Sequence, residues 1–291
     1  MLRHAADWRS VAYLVVVTAL GIVQWNLGAW TPGLYAPYLF LFVAVAVISH
    51  NHNHLSMWKS RGLNLFTNYL ISIHYGHPAV VWVPTHNQNH HKFANREGDT
   101  GRSPVLFKRN HLLALLVYPT LTGLRQQKDV KRFFQDLWTR DRKGFFLAAS
   151  EYLVFFGFLA AVFALDWRKA LVFYVLPQQF ALFFIQVFNY VQHIEADPDS
   201  DWNHSRNFLS PVLNALLFNN GYHTVHHLKP GVHWSKTPSL HALHASKVHP
   251  ALMVRSWWGF MLWTFLVRPL VPGARAAELG NAPEKAAAQV S

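Results

Sequence analysis

Residues 85–95 read THNQNHHKFAN, and they place His86, His90 and His91 within six positions of one another. An imidazole is costly to bury without a partner, so three together in a largely apolar chain must hold something in common. If they ligate a metal, distant segments have to bring further ligands to it, and the chain must fold around that requirement. The reading of this stretch therefore decides the reading of the rest.

Two more clusters answer it, HNHNH at residues 50–54 and HTVHH at residues 223–227. On an α-helix, residues three and four apart share a face. The spacing thus predicts that His50 points with His54, His86 with His90, and His223 with both His226 and His227. His52 is predicted to face the opposite way. A fourth segment, NYVQH at residues 189–193, puts Asn189 and His193 one turn apart.

The whole chain of 291 residues is 52% hydrophobic, with 12 Trp, 22 Phe and a formal net charge of +12. That balance indicates a membrane protein, while a mean hydropathy of +0.09 requires a substantial polar part. There is no cysteine. Disulfides, iron–sulfur clusters and thiolate-ligated haem are excluded, and any metal must take nitrogen or oxygen ligands.

A spanning helix needs roughly 20 apolar residues, and residues 11–30, 35–50, 145–165 and 170–191 come near it. The first is too long for a signal peptide and lacks a small-residue cleavage site. Residues 51–144 carry fourteen Lys or Arg and the part after Val191 eight, against two in the connection at 166–169. The positive-inside rule places both long segments and the N-terminus in the cytoplasm. The expected fold is all-α: four transmembrane helices in two hairpins beneath a helical cytoplasmic cap, residues 51–144 and 192–271, that holds a two-metal site. Within the cap, 63–84 and 111–124 read as interfacial amphipathic helices, with a fifth span at 63–84 as the rival, and 128–143 as a solvated helix. Residues 1–271 form one domain and 272–291 a disordered tail.

Eight or nine imidazoles are too many for one zinc ion, the HExxH signature is absent, and no Glu-x-x-His pair occurs. Imidazole suits iron, zinc, copper or nickel, so spacing alone leaves the metal open. The basic charge fits positive-inside bias and lipid headgroups and gives no support to a nucleic-acid partner. No dinucleotide fingerprint or fused redox module is present.

In order, HNHNH, HNQNHH, NYVQH and NNGYHTVHH resemble the histidine boxes of the membrane fatty acid desaturase family, over roughly residues 50–241. The resemblance implies a non-haem centre of two iron ions. Its ligands would be His50, His54, His86, His90, His91, His223, His226 and His227, with His193 as the ninth and Asn189 holding a metal-bound water. It implies an oxidoreductase that uses O2 and two external electrons to make an acyl double bond. The donor would be a separate ferredoxin, rubredoxin or cytochrome b5 type of protein, and the substrate an acyl lipid, acyl-CoA or acyl carrier. A multi-pass protein with a cytoplasmic active site follows, most naturally in a bacterial inner membrane. A hydroxylase or ketolase of the same superfamily is the alternative, and a non-catalytic metal transporter or sensor a weaker one, since transporter ligands belong at the bilayer midplane. Asp99, Glu195, Asp197, Asp199 and Asp201 are candidate partners for the outer imidazole nitrogens, with solvated loop charges as the plainer expectation. His74, His77, His204, His233, His241, His244 and His249 are expected to be structural, interfacial or supporting, His204 being the most noteworthy. Phe155, Phe156, Phe158, Phe180, Phe183 and Phe184 could line an acyl tunnel, with core packing as the default.

Overall fold

The computed structural model describes residues 1–28, 30–103, 110–274 and 279. Nearly all of the expected disordered tail lies outside them. The described residues are mostly helical, with one pair of two-residue parallel strands among them, β1 (Asn207–Phe208) and β2 (Met253–Val254). It divides into two units, Met1–Gln88 with Gln127–Ile185, and Asn89–Gln126 with Gln186–Ser291.

The first unit is built on α1 (Trp8–Leu27), α2 (Pro32–His54) and α3 (Arg61–Tyr75). A π-helix, Val83–His90, runs to its edge and continues into the short α4 (His91–Phe93). Two long helices, α5 (Leu112–Arg140) and α7 (Leu176–His193), run through both units, and α6 (Arg142–Ala170) lies in the first. Among the described residues, three segments are long and apolar enough to cross a membrane: Ala5–Leu27, Pro32–His54 and Arg142–His193.

The first and third of these segments carry exposed apolar side chains. On α1, Leu14, Val17, Gly21 and Gln24 are buried, while Val15, Val16, Ile22, Val23 and Leu27 are exposed. On α6, Leu153, Phe156, Phe163 and Leu165 are exposed. A water-facing protein does not leave such bands bare, whereas lipid solvates them. By contrast α2 is buried along an uninterrupted run from Leu41 to His50 and forms the core of this unit.

The third apolar segment is 52 residues long, far more than the roughly 20 needed to cross a bilayer. It is broken at Asp166, whose backbone is extended at φ −161° and ψ 102°. The Asp166 carboxylate accepts from the backbone N–H groups of Arg168 and Lys169, at 3.0 and 3.1 Å, capping the helix that restarts there. Lys169 Nζ then donates to the Trp25 carbonyl at the end of α1, and Tyr35 and Tyr38 of α2 donate to the carbonyls of Val172 and Phe173. The end of α1, the start of α2 and the break at Asp166 within α6 therefore meet at one end of the unit.

The 63–84 segment differs from an outlying surface helix. Leu63 and Phe66 of α3 are exposed, but its far end runs among the long helices. His74 donates to Thr18 in the middle of α1, and Gln178 of α7 donates to the Ile73 carbonyl. Gly76 ends the helix at φ +97°, and a Cβ there would stand 2.7 Å from Gln178 Cβ. Only glycine combines that conformation with that approach. Residues expected as two elements, 111–124 and 128–143, are mostly one continuous helix, α5. Phe156 and Phe180 are 58% and 36% exposed, so they face outward and do not line an internal tunnel. Phe155 is buried, and Phe158 packs edge-on against Tyr174.

Candidate metal centre

All nine histidines singled out by the sequence fall into close groups. In the first unit the last turns of α2 bring His50 and His54 together on one face, and the π-helix adds His86. Nitrogens of the three lie within 4.8 Å of one another, and His50 Nε2 stands 3.0 Å from His86 Nε2. Trp82 packs edge-on against both His50 and His86, and Tyr75 stacks on Trp82, so an aromatic wall excludes water from one side. Asn87 Nδ2 donates to the Asn53 carbonyl and fastens the π-helix to α2.

In the second unit His90, His193, His223 and His227 converge, again with nitrogens within 4.8 Å of one another. Successive Nε2 atoms are separated by 3.1 Å from His90 to His193, 2.9 Å from His193 to His223 and 3.1 Å from His223 to His227. His91 Nε2 and His226 Nε2 form a further pair at 3.0 Å. Neighbouring ligands of one ion with metal–nitrogen bonds of about 2.1 Å are themselves roughly 3.0–3.4 Å apart. The spacing and the all-imidazole donor set therefore fit a transition metal such as iron or zinc.

The outer nitrogens show which way the lone pairs point. His90 Nδ1 donates to the Asp99 carboxylate at 2.8 Å, and His193 Nδ1 donates to the His204 carbonyl at 3.2 Å. With a proton held at Nδ1, each Nε2 is left as a bare donor directed into the group. Burial among neighbouring imidazoles holds His227 well below the usual histidine range, so its ring too is neutral at physiological pH.

Asp99, which the sequence offered as a candidate partner for an outer imidazole nitrogen, fills that place and is no solvated loop charge. Its carboxylate is buried and also accepts from the backbone N–H groups of Asn95 and Gly101, both at 2.7 Å. Burial pushes its pKa up, but the His90 imidazole and these donors more than offset that and hold it below the ordinary carboxylate value. The loop is stiffened by Asn89, whose side chain accepts from Thr100 and donates to the Gly98 carbonyl, and by Asn95, which accepts from Ser103 N–H. Glu195 is likewise paired, to Arg268, Arg206 and Asn110. Asp199 and Asp201 are exposed loop charges, and Asp197 accepts from the N–H of Asp199.

Two helical-face expectations need correction. His86 and His90 do not share a pocket, although both lie on the π-helix Val83–His90. His86 joins His50 and His54, and His90 joins the four-imidazole group. On α9 (His223–Leu228), His223 and His227 stay together four residues apart, while His226 turns to His91. His52 is buried away from both groups and accepts from the Met57 N–H. Asn189 donates to the Tyr118 hydroxyl at 2.7 Å.

α9 is positioned by the chain before it. The N–H of Thr224 donates to Asn207, the N–H of Phe208 donates to the Gly221 carbonyl, and Asn214 links Gly221 to Phe208. A Cβ on Gly221 would collide with the Phe208 carbonyl and stand 2.7 Å from Asn214 Oδ1, so the turn into the third cluster requires glycine.

Similarity to known proteins agrees with this geometry. A 52-residue stretch, 18% of this chain, is 39% identical to the sphingolipid delta(4)-desaturase of Candida albicans, and the match covers 14% of that protein's length. No solved structure matches the chain. The family described as fatty acid desaturase matches residues 24–258, which include every histidine of the groups above. With the ordered boxes folded into close imidazole groups and most of its length matched, this chain belongs to the fatty acid desaturase family.

Proposed function

We propose that this protein is an O2-dependent acyl desaturase whose centre holds two iron ions through histidine alone. The carrying observation is the group of His90, His193, His223 and His227, four Nε2 atoms directed at one another about 3 Å apart. Four lone pairs that close repel, and a shared cation turns the repulsion into ligation. These four are assigned to one ion, and His50, His54 and His86 of the first unit to another. Zinc has no redox chemistry, so an oxidative reaction favours iron.

When bound, iron would supply the activation of O2 that cleavage of an alkyl C–H bond needs. The overall change removes two hydrogens from adjacent acyl methylenes and reduces one O2 to two waters, with two electrons and two protons supplied from outside. The protein's own part is to hold and to exclude. Asp99 and the His204 carbonyl keep protons on the outer nitrogens of His90 and His193 and so fix both rings. Trp82 and Tyr75 shield the His50 and His86 rings from water. Electrons come from a separate ferredoxin, rubredoxin or cytochrome b5 type of donor, and the acyl group arrives as a lipid, a CoA thioester or an acyl-carrier conjugate.

Helix geometry supports a four-span reading. A 52-residue helix at 1.5 Å per residue would be about 78 Å long, more than twice the roughly 30 Å hydrocarbon core, so the break at Asp166 is read as a turn between two spans. With the ends of α1 and α6 at one end of the unit, the arrangement is two hairpins, and the positive-inside rule puts the histidine-bearing end in the cytoplasm, as in a bacterial inner membrane. The test is expression in a host of defined lipid profile, with localisation of new double bonds by mass spectrometry under labelled O2. An alkene with the label in water is expected. Label recovered in the lipid as the main outcome would make the protein a hydroxylase instead.

A further inference from the structure

His204 sits in the loop after α7, in the segment WNHSRN, and is 6% exposed. Its Nδ1 faces the carbonyls of Ser200 and Asp201 at 3.2 and 3.0 Å. Carbonyls only accept, so the ring must carry its proton on Nδ1, and Nε2 is a bare acceptor. That Nε2 is buried and has no hydrogen-bond partner. Leaving a buried acceptor unmade is costly, and native proteins keep few such atoms without a reason.

The surroundings supply one. The His204 ring packs edge-on against His227 at 5.4 Å between centroids, and its own carbonyl holds the proton of His193. It therefore touches two of the four imidazoles of the second unit's group. Its nitrogens are not among the four that lie within 4.8 Å of one another, so it is not a direct ligand of the same kind. Loop packing alone would need only an apolar ring here, and would not leave an acceptor bare beside a metal group.

We propose that His204 is a positioning residue for the ion held by His90, His193, His223 and His227, its Nε2 accepting a hydrogen bond from a water ligand of that ion. The inference rests on the metal-centre reading given above. One imidazole would thus act twice, its carbonyl orienting a protein ligand and its ring orienting an exogenous one.

Three variants of the full chain in detergent separate this role from packing. His204→Phe keeps a ring and removes the acceptor, His204→Gln can return an acceptor near the same place, and His204→Ala removes both. The readouts are iron per chain and the rate of iron loss to a chelator, with thermal unfolding as a check on the fold. Partners of this sort change metal affinity by roughly 10–100-fold. Phe and Ala should therefore lose one of the two ions about tenfold faster than wild type, while Gln stays within a few-fold and all unfold at similar temperatures. Wild-type release rates in His204→Phe would overturn the proposal, as would equal loss in Phe and Gln, which would mark a packing role. Wild-type protein that binds no metal would defeat the underlying metal-centre reading as well.

Discussion

Asp99→Asn is an isosteric change with a forced conflict. One carboxylate oxygen receives both His90 Nδ1–H and the Asn95 N–H, and the other receives the Gly101 N–H. An amide offers one acceptor and one donor. If its oxygen faces His90 and Asn95, the amide NH2 meets the Gly101 N–H; reversed, it meets two donors, and His90 must shift its proton to Nε2 and lose its lone pair. Either way at least one charge-assisted bond is lost in a buried place, worth about 1.5–3 kcal/mol. At 1.4 kcal/mol per tenfold, the ion of the four-histidine group should be held about 10- to 150-fold more weakly. Iron per chain, measured on the purified protein before and after a timed chelator challenge, should fall from two toward one. Two ions released at wild-type rates from Asp99→Asn would refute the idea that the carboxylate sets the His90 tautomer.

Gly221→Ala should lower the unfolding temperature by several degrees and deplete iron, because its Cβ collides with the Phe208 carbonyl just before His223; unchanged melting would sink the close-approach argument. Glu195 is partly buried, which raises its pKa, but Arg268, Asn110 and Arg206 hold it below the ordinary value of 4.5. A depressed carboxylate stabilises the fold above its unfolded value, and the contribution is lost as pH falls through the folded value. Glu195→Gln should therefore be less stable than wild type at neutral pH, with the two melting curves converging in acid below 4.5. The cysteine-free chain allows topology to be read by labelling single cysteines. Ser246→Cys should react from the cytoplasm and Thr31→Cys from the opposite side, both positions being exposed, and reversal of the pair would invert the orientation. Ser103 is a poor probe, since it is buried against Asn95.

That the box histidines would come together was legible because the boxes are ordered along the chain. His50 with His54 and His223 with His227 obey the i, i+4 rule, so spacing predicted their grouping. The same rule failed for His86 with His90 and for His223 with His226, because spacing names a face without naming what meets it. Apolar length revealed the candidate spans, and the helix breaks at Asp166, inside the connection expected at 166–169. Asp99 was legible only as one of five candidate acidic partners, because nothing local distinguishes it from Asp199 or Asp201. Its burial depends on a loop held by Asn89 and Asn95, whose side-chain bonds to Thr100 and Ser103 are tertiary facts.

The π-helix at Val83–His90 changes which kind of mutation this protein can survive. A substitution at Asn87 or Gln88 alters one side chain and leaves the backbone register in place. Loss of either residue would shorten the turn by the one position that separates i→i+5 from i→i+4 closure, and every histidine beyond it would be delivered to a different address. Chain length between the boxes is thus itself a coded quantity, read by the backbone in whole residues. Single-residue deletions here should be more damaging than any exchange of amino-acid type, even where the deleted side chain binds nothing.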